Sequence, residues 1–334
     1  MKRLLLAFTA AASVLVGFAA AAAPSLSVVQ RIPGPDGGWD YASFDAARGR
    51  IYVSHGTEVL SLDVKTGKLN ADFAQGARLH AIVPVPGADV LVTTNSGDKT
   101  VKIISAIDGT LIKSLTVDAD ADGAVYDPAT RLVVVVNGDP GLVTLVDPRA
   151  PSVVGVIKVG DSLEFPAVDG KGRAYVNVAS TGEIAVIDLV KRQVLGRYAM
   201  AGCKRPTGLA YVAGHRLVSA CNSGMAKILD ADTGKEIASL KIGGFADAVI
   251  YDPNRHMAYV PTALDGQLNV IALSGKDDNT IVATVPTQIG ARLGAVDTST
   301  GRIYLPTAEY NQPVPPGQRP TTKPGTFQIL VVDR

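Results

Sequence analysis

Short apolar runs broken by Gly, Pro, Asp or Thr-Gly-Lys follow one another along nearly the whole chain after residue 24. Runs of this length, rich in Val, Ile, Leu, Thr and Tyr, predict β-strands rather than helices. In the first stretch they cover Tyr41 to Phe44, Ile51 to Ser54, Val59 to Leu62 and Leu69 to Phe73. Asp45-Ala-Ala-Arg-Gly fills the first gap and Lys65-Thr-Gly-Lys the last, and both are turn-forming. The same four-strand pattern returns with a period of about 42 residues. Its clearest marker is an apolar strand ending in Asp: Leu62-Asp63, Val146-Asp147, Ile187-Asp188, Leu229-Asp230 and Val332-Asp333. Ser105-Ala106 and Ile271-Ala272 fill the two remaining equivalent places.

Successive anchors lie 43, 41, 41, 42, 42 and 61 residues apart, so only the last repeat carries an insertion. Seven anchors with four antiparallel strands each predict an all-β fold, a seven-bladed β-propeller. Phe327 to Asp333 is a third strand, which leaves the seventh blade one strand short. Leu26 to Gly34 precedes the first complete unit and matches the fourth strands Val153 to Gly160 and Glu236 to Gly243. This N-terminal strand is therefore expected to join the last blade, close the ring and remove an exposed sheet edge.

The second strands Tyr52-Val-Ser-His, Leu91-Val-Thr-Thr-Asn, Tyr175-Val-Asn, Tyr259-Val-Pro-Thr and Tyr304-Leu-Pro-Thr each precede the Asp-ending strand or its equivalent. In these motifs the chain resembles the YVTN-repeat family of exported propellers, the YncE-like proteins, over its whole length after the leader. The resemblance implies the propeller fold. The family's relatives on this architecture include lactonases and subunits of periplasmic dehydrogenases, so the resemblance speaks to fold far more than to function.

Met1-Lys2-Arg3 followed by an uncharged run from Leu4 to Ala23 has the layout of an export signal, with cleavage expected after Ala22. An uncleaved membrane anchor is the competing reading. This divides the chain into a signal peptide, residues 1–22, and a single propeller domain, residues 23–334. Loss of Lys2 and Arg3 turns the net charge from +1 to −1, which gives no electrostatic case for nucleic acid. No second membrane span is legible. A periplasmic or secreted protein is expected.

Candidate chemistry comes from the repeat itself. Counting five residues back from the turn position of Asp45 aligns the first-strand starts as Asp40, His80, Asp122, Glu164, Thr207, Asp247 and Arg292. These should ring the top end of the central channel, framed by Trp39, Arg78, Lys204, Arg205 and Phe245 from neighbouring loops. Convergent carboxylates bind a cation or polar ligand, or share protons; in a water-filled channel they can also be simply solvated. Imidazole joined to carboxylates suits a divalent transition metal, and the candidate ligands are His80, His55, Asp40 and Asp122. A carboxylate-only set would suit calcium.

The seventh-blade insertion, Ala308 to Thr326, includes Tyr310 and five prolines and is expected to cover part of the mouth, a mobile bystander loop being the competing reading. No nucleophile elbow, phosphate loop or haem-attachment motif is present. The leading expectation is a binding propeller holding a small molecule or a protein partner. An enzyme, either lactonase-like or metal-dependent, and an accessory subunit of a periplasmic redox system are the alternatives. The only cysteines, Cys203 and Cys221, fall in one blade. A turn at Ala213-Gly214 would bring position 221 opposite a residue near 206, so a disulfide is expected in an oxidising compartment.

Overall fold

In a computed structural model, residues 25–160, 162–274, 278–311 and 320–334 are described; the expected signal peptide and residues 312–319 of the insertion lie outside them. The described chain forms seven four-stranded antiparallel sheets. The innermost strands touch in cyclic order, blade one against two, and so on round to seven against one. This is a seven-bladed propeller. The last sheet takes its outer strand from the N-terminus: Ser27–Pro33 pairs antiparallel with Gln328–Asp333. Gly34 N–H also donates to Phe327 O at 3.0 Å, and Ile32 is buried beside Phe327 and Leu69.

The residue types that mark the repeat have mechanical roles. Asp63 Oδ1 accepts from Lys65 N, Thr66 N and Thr66 Oγ1, and Asp230 repeats the pattern with Asp232 and Thr233. A carboxylate there satisfies the turn donors that the ladder leaves unpaired. In blade two the same part is played by Ser105, whose Oγ accepts from Ile107 N and Asp108 N. Ser105 also pairs with Val90 as Asp63 pairs with Arg50, so the anchor lies one residue earlier than the sequence alignment placed it.

The Tyr-Val motif links blades. Tyr52 is fully buried and its hydroxyl donates to Ala106 O of blade two at 3.4 Å; Tyr175 donates likewise to Ala231 O of blade five at 3.1 Å. An aromatic ring fills the space between two sheets while its polar tip finds a carbonyl on the next one.

Two second-strand positions govern the top face. The fifth holds the next blade's first strand by its backbone: Ser54 Oγ donates to His80 O, Thr94 Oγ1 to Asp122 O at 2.6 Å, and Asn177 Nδ2 to Thr207 O at 2.9 Å. The sixth holds the loop leading into its own blade. Asn95 Oδ1 accepts from Ala77 N, Asn137 Nδ2 donates to Asp118 O, and in blade five the tie is covalent, Cys203–Cys221. Cys221 lies opposite Pro206, where the antiparallel register was expected to put it, and the Cα atoms are 5.5 Å apart.

Candidate functional site

In blades one to five the ladder between the first two strands breaks at the same place, after Trp39, Leu79, Ala121, Leu163 and Pro206. The residues that follow each break, Asp40, His80, Asp122, Glu164 and Thr207, therefore sit in β-bulges, which re-aim side chains out of the plain alternation of a strand. Two residues before the rim position in blades two, three, five, six and seven the backbone adopts a left-handed conformation, at Arg78, Asp120, Arg205, Phe245 and Gly290. Four of these are not glycine, a costly choice that the surrounding hydrogen bonds hold in place.

Three of the aligned side chains converge. His80 Nδ1 lies 2.5 Å from Asp40 Oδ2 and 3.4 Å from Asp122 Oδ1. One donor atom from each of Asp40, His80 and Asp122 can be chosen so that all lie within 4.8 Å of one another. His80 Nε2 is 2.9 Å from Ser96 Oγ, and Ser96 Oγ in turn donates to Arg78 O at 3.4 Å. Burial alone would lower the His80 pKa, but the Asp40 hydrogen bond and the charges of Asp122 and Asp40 outweigh it, so the imidazolium is favoured.

On the neighbouring blades six and seven, Arg292 Nε donates to Asp247 Oδ2 at 3.1 Å and Nη2 to Trp39 O at 3.1 Å, with the guanidinium 5.4 Å from the Trp39 ring centre. Trp39 stacks on Tyr310 at 6.2 Å between ring centres. The described base of the insertion is thereby pinned to blade one, with Gly325 N donating to Asp36 Oδ1 as a second tie.

The acids feel one another. Desolvation, then the neighbouring charge of Asp40, push Asp122 up to about 7. Desolvation and then Asp122 and Asp247 push Glu164 up to about 8, against the opposing pull of Arg205. Burial also raises Asp247, with Arg292 only partly offsetting it.

Because Glu164 favours its neutral form in the fold and ionises near pH 4.3 when unfolded, its contribution to stability is complete below about pH 4 and lost as pH rises towards about 8. The protein in chelator is expected to melt several degrees lower at pH 8.5 than at pH 5.5. Glu164→Gln should flatten that slope in thermal melts; an unaltered slope would refute the assignment.

Two candidates lie elsewhere. His55 is not part of the cluster: it pairs with Trp39 one strand out from the channel, is buried against Phe327, and lies directly over Gly37. It occupies the sixth position of its strand, and packs on the loop leading into blade one as the asparagines and Cys221 hold theirs. Thr207 turns sideways and donates to Ala246 O, so it ties its strand to the segment leading into blade six and offers nothing to the mouth. Arg78, Lys204, Arg205 and Phe245 are exposed on the surrounding loops.

Tyr41 escaped the sequence reading. The position after the rim residue is Tyr41, Ala81, Gly123, Phe165, Gly208, Ala248 and Leu293, so two aromatics stand among mostly small residues. Their rings meet edge to face at 5.0 Å, and they floor the acidic mouth. Burial and then the charges of Asp122, Asp40, Asp247 and Glu164 raise the Tyr41 pKa well above 10, which keeps its hydroxyl protonated as a donor. Below this floor a cavity of about 310 Å³ is lined by Ala42, Phe44, Val249, Leu293 and Val296 among others.

No protein-family profile and no curated protein sequence matches the chain. Solved structures do. A structure of U3-55K superposes with a TM-score of 0.78 at 10% identity, covering 91% of this chain and 98% of that one. A crystal structure of RRP9 WD40 repeats gives 0.76 at 10% identity over 91% and 97%. Hydrazine synthase of Kuenenia stuttgartiensis gives 0.71 at 14% identity over 82% and 92%. Identities this low establish the propeller fold and nothing finer.

Proposed function

We propose that this chain is an exported binding propeller, periplasmic or secreted, whose channel mouth holds a small polar ligand of cationic character. The observation that carries the reading is the surplus of acid there: among the described residues, Asp40, Asp122, Glu164 and Asp247 stand beside Arg292 and His80, with Arg205 reaching Glu164 and Asp247 from an exposed loop. A cationic ligand would relieve that repulsion, and Tyr41 supplies a floor with a hydroxyl. The leader-like residues 1–22 and the Cys203–Cys221 bridge support export. The Tyr52 and Tyr175 links support kinship with the YVTN-repeat proteins.

The test is a thermal-shift panel of divalent cations, diamines and amino sugars. A ligand of the mouth should raise the melting temperature of the wild type and do so far less in Glu164→Gln, while the bottom-face variant Asp232→Asn responds like wild type. Equal shifts in all three proteins, or no shift with any compound, would defeat the proposal.

A second reading, a protein partner on the same face, is favoured by one feature. Phe245, Leu264 and Ile289 are 44%, 67% and 58% exposed on the top loops of blades six and seven. Apolar side chains gathered beside a polar cleft suit a protein contact.

A further inference from the structure

We infer that Asp40, His80 and Asp122 form a binding site for a divalent first-row transition-metal ion, with His80 Nδ1 as the nitrogen ligand and one carboxylate oxygen from each aspartate. This rests on the reading of the mouth as a cation-holding site and names the cation.

Four features carry it. The first is separation. An ion about 2.1 Å from each ligand atom in a tetrahedral shell sets those atoms about 3.4 Å apart, and His80 Nδ1 and Asp122 Oδ1 stand 3.4 Å apart. The second is the choice of ring nitrogen. Ser96 Oγ donates to Arg78 O, so its lone pair is left to accept from His80 Nε2–H. That hydrogen bond fixes the proton on Nε2 and frees Nδ1 to ligate, the arrangement by which metal-bound histidines are oriented.

The third is an orphan. Asp122 Oδ1 is a fully buried oxygen that accepts no hydrogen bond, and buried acceptors of that kind are rarely left so. The fourth is preorganisation. The carbonyls of His80 and Asp122 are each held by a hydroxyl from the preceding blade, Ser54 and Thr94, so two of the three ligands come from backbone fixed before any ion arrives.

The proton balance is simple. In the metal-free protein the Nδ1 proton is shared with Asp40 Oδ2; metal binding expels it to solvent, and Asp40 exchanges a hydrogen bond for a metal bond. An imidazole in the set favours zinc or cobalt over magnesium, calcium or manganese. With three protein ligands a tetrahedral ion keeps a position open towards the mouth, where a ligand's oxygen or nitrogen can complete the shell.

The experiment is equilibrium dialysis of the chelator-stripped full chain against zinc, manganese, cobalt and calcium salts, with bound metal counted by mass spectrometry and cobalt followed by its visible absorption. One transition ion per chain is expected, with calcium not retained. His80→Ala and Asp122→Asn should abolish binding, and Ser96→Ala should weaken it roughly ten- to a hundred-fold while leaving one ion per chain at saturation. Asp232→Asn, on the bottom face, should still bind one ion. Circular dichroism and melts establish that each variant is folded.

A stripped protein that takes up no transition ion would overturn the inference, as would full stoichiometry in His80→Ala. Should that occur while diamines still stabilise the wild type more than Glu164→Gln, the metal site falls and the binding role of the mouth survives.

Discussion

Deleting the segment that precedes and includes Gly34 is expected to lower the melting temperature by more than ten degrees and to make the protein aggregate. The deletion removes the ladder between Ser27–Pro33 and Gln328–Asp333, the Gly34–Phe327 hydrogen bond and the buried Ile32 side chain. At about 1 kcal/mol net for each hydrogen bond, the loss is on the order of 5 kcal/mol before any apolar burial is counted. It also leaves Gln328–Asp333 as a bare edge, able to pair with another chain. Ile32→Ala is the matched point variant and should cost about 2–4 kcal/mol as a buried truncation. Val29→Ala should cost almost nothing, because Val29 lies in the bulge of that strand and is 52% exposed. Calorimetry of the three proteins reads the ranking, and a deletion that melts with the wild type would mean that the ring does not depend on this closure.

Removing the Cys203–Cys221 bridge is expected to have the second largest effect. The bridge spans 18 residues of sequence, for which loop-closure entropy gives about 3 kcal/mol. Cys203→Ala/Cys221→Ala is the suitable variant, since both positions are buried and a polar replacement would add a desolvation cost of its own. Denaturant titration should show a lower midpoint at unchanged slope. Thiol titration of the denatured, unreduced wild type should find no free thiol. The loop carrying Lys204 and Arg205 begins at this bridge, so the variant should also weaken any ligand that contacts Arg205. An unchanged midpoint would show that the loop is held by its hydrogen bonds, such as Lys204 N to Ser223 Oγ, without the bridge.

The architecture was legible because a propeller repeats its physics. Asp63, Asp147, Asp188 and Asp230 are spaced as they are because each one holds the turn at the bottom of a blade, and a carboxylate in that role leaves a mark in the sequence. The disulfide was legible for a related reason: antiparallel register is arithmetic once the turn is placed, and Pro206 does oppose Cys221.

The mouth was legible only as a list of positions. Repeat alignment gives depth along the channel but not the direction of a side chain, and direction is set by the bulges in blades one to five. Asp40, His80 and Asp122 converge, while Thr207, in an equivalent bulge, turns to its neighbour's backbone. His55 misled because it shares a face with the cluster at the level of loops yet stands one strand further out, where its strand position serves packing. Tyr41 was missed because an aromatic in a strand reads as core; its contrast with Ala81, Gly123 and Gly208 at equivalent places was the available signal.

That these bulged side chains gather to hold a ligand is the claim on which the functional account stands, and a crystal structure of the protein purified from an exporting host without chelator tests it most directly. The account predicts non-protein density above the Tyr41 and Phe165 rings, bonded to Asp40, His80 and Asp122 and within reach of Glu164. Water alone at the mouth, in crystals that carry a bound ligand elsewhere on the propeller, would contradict it.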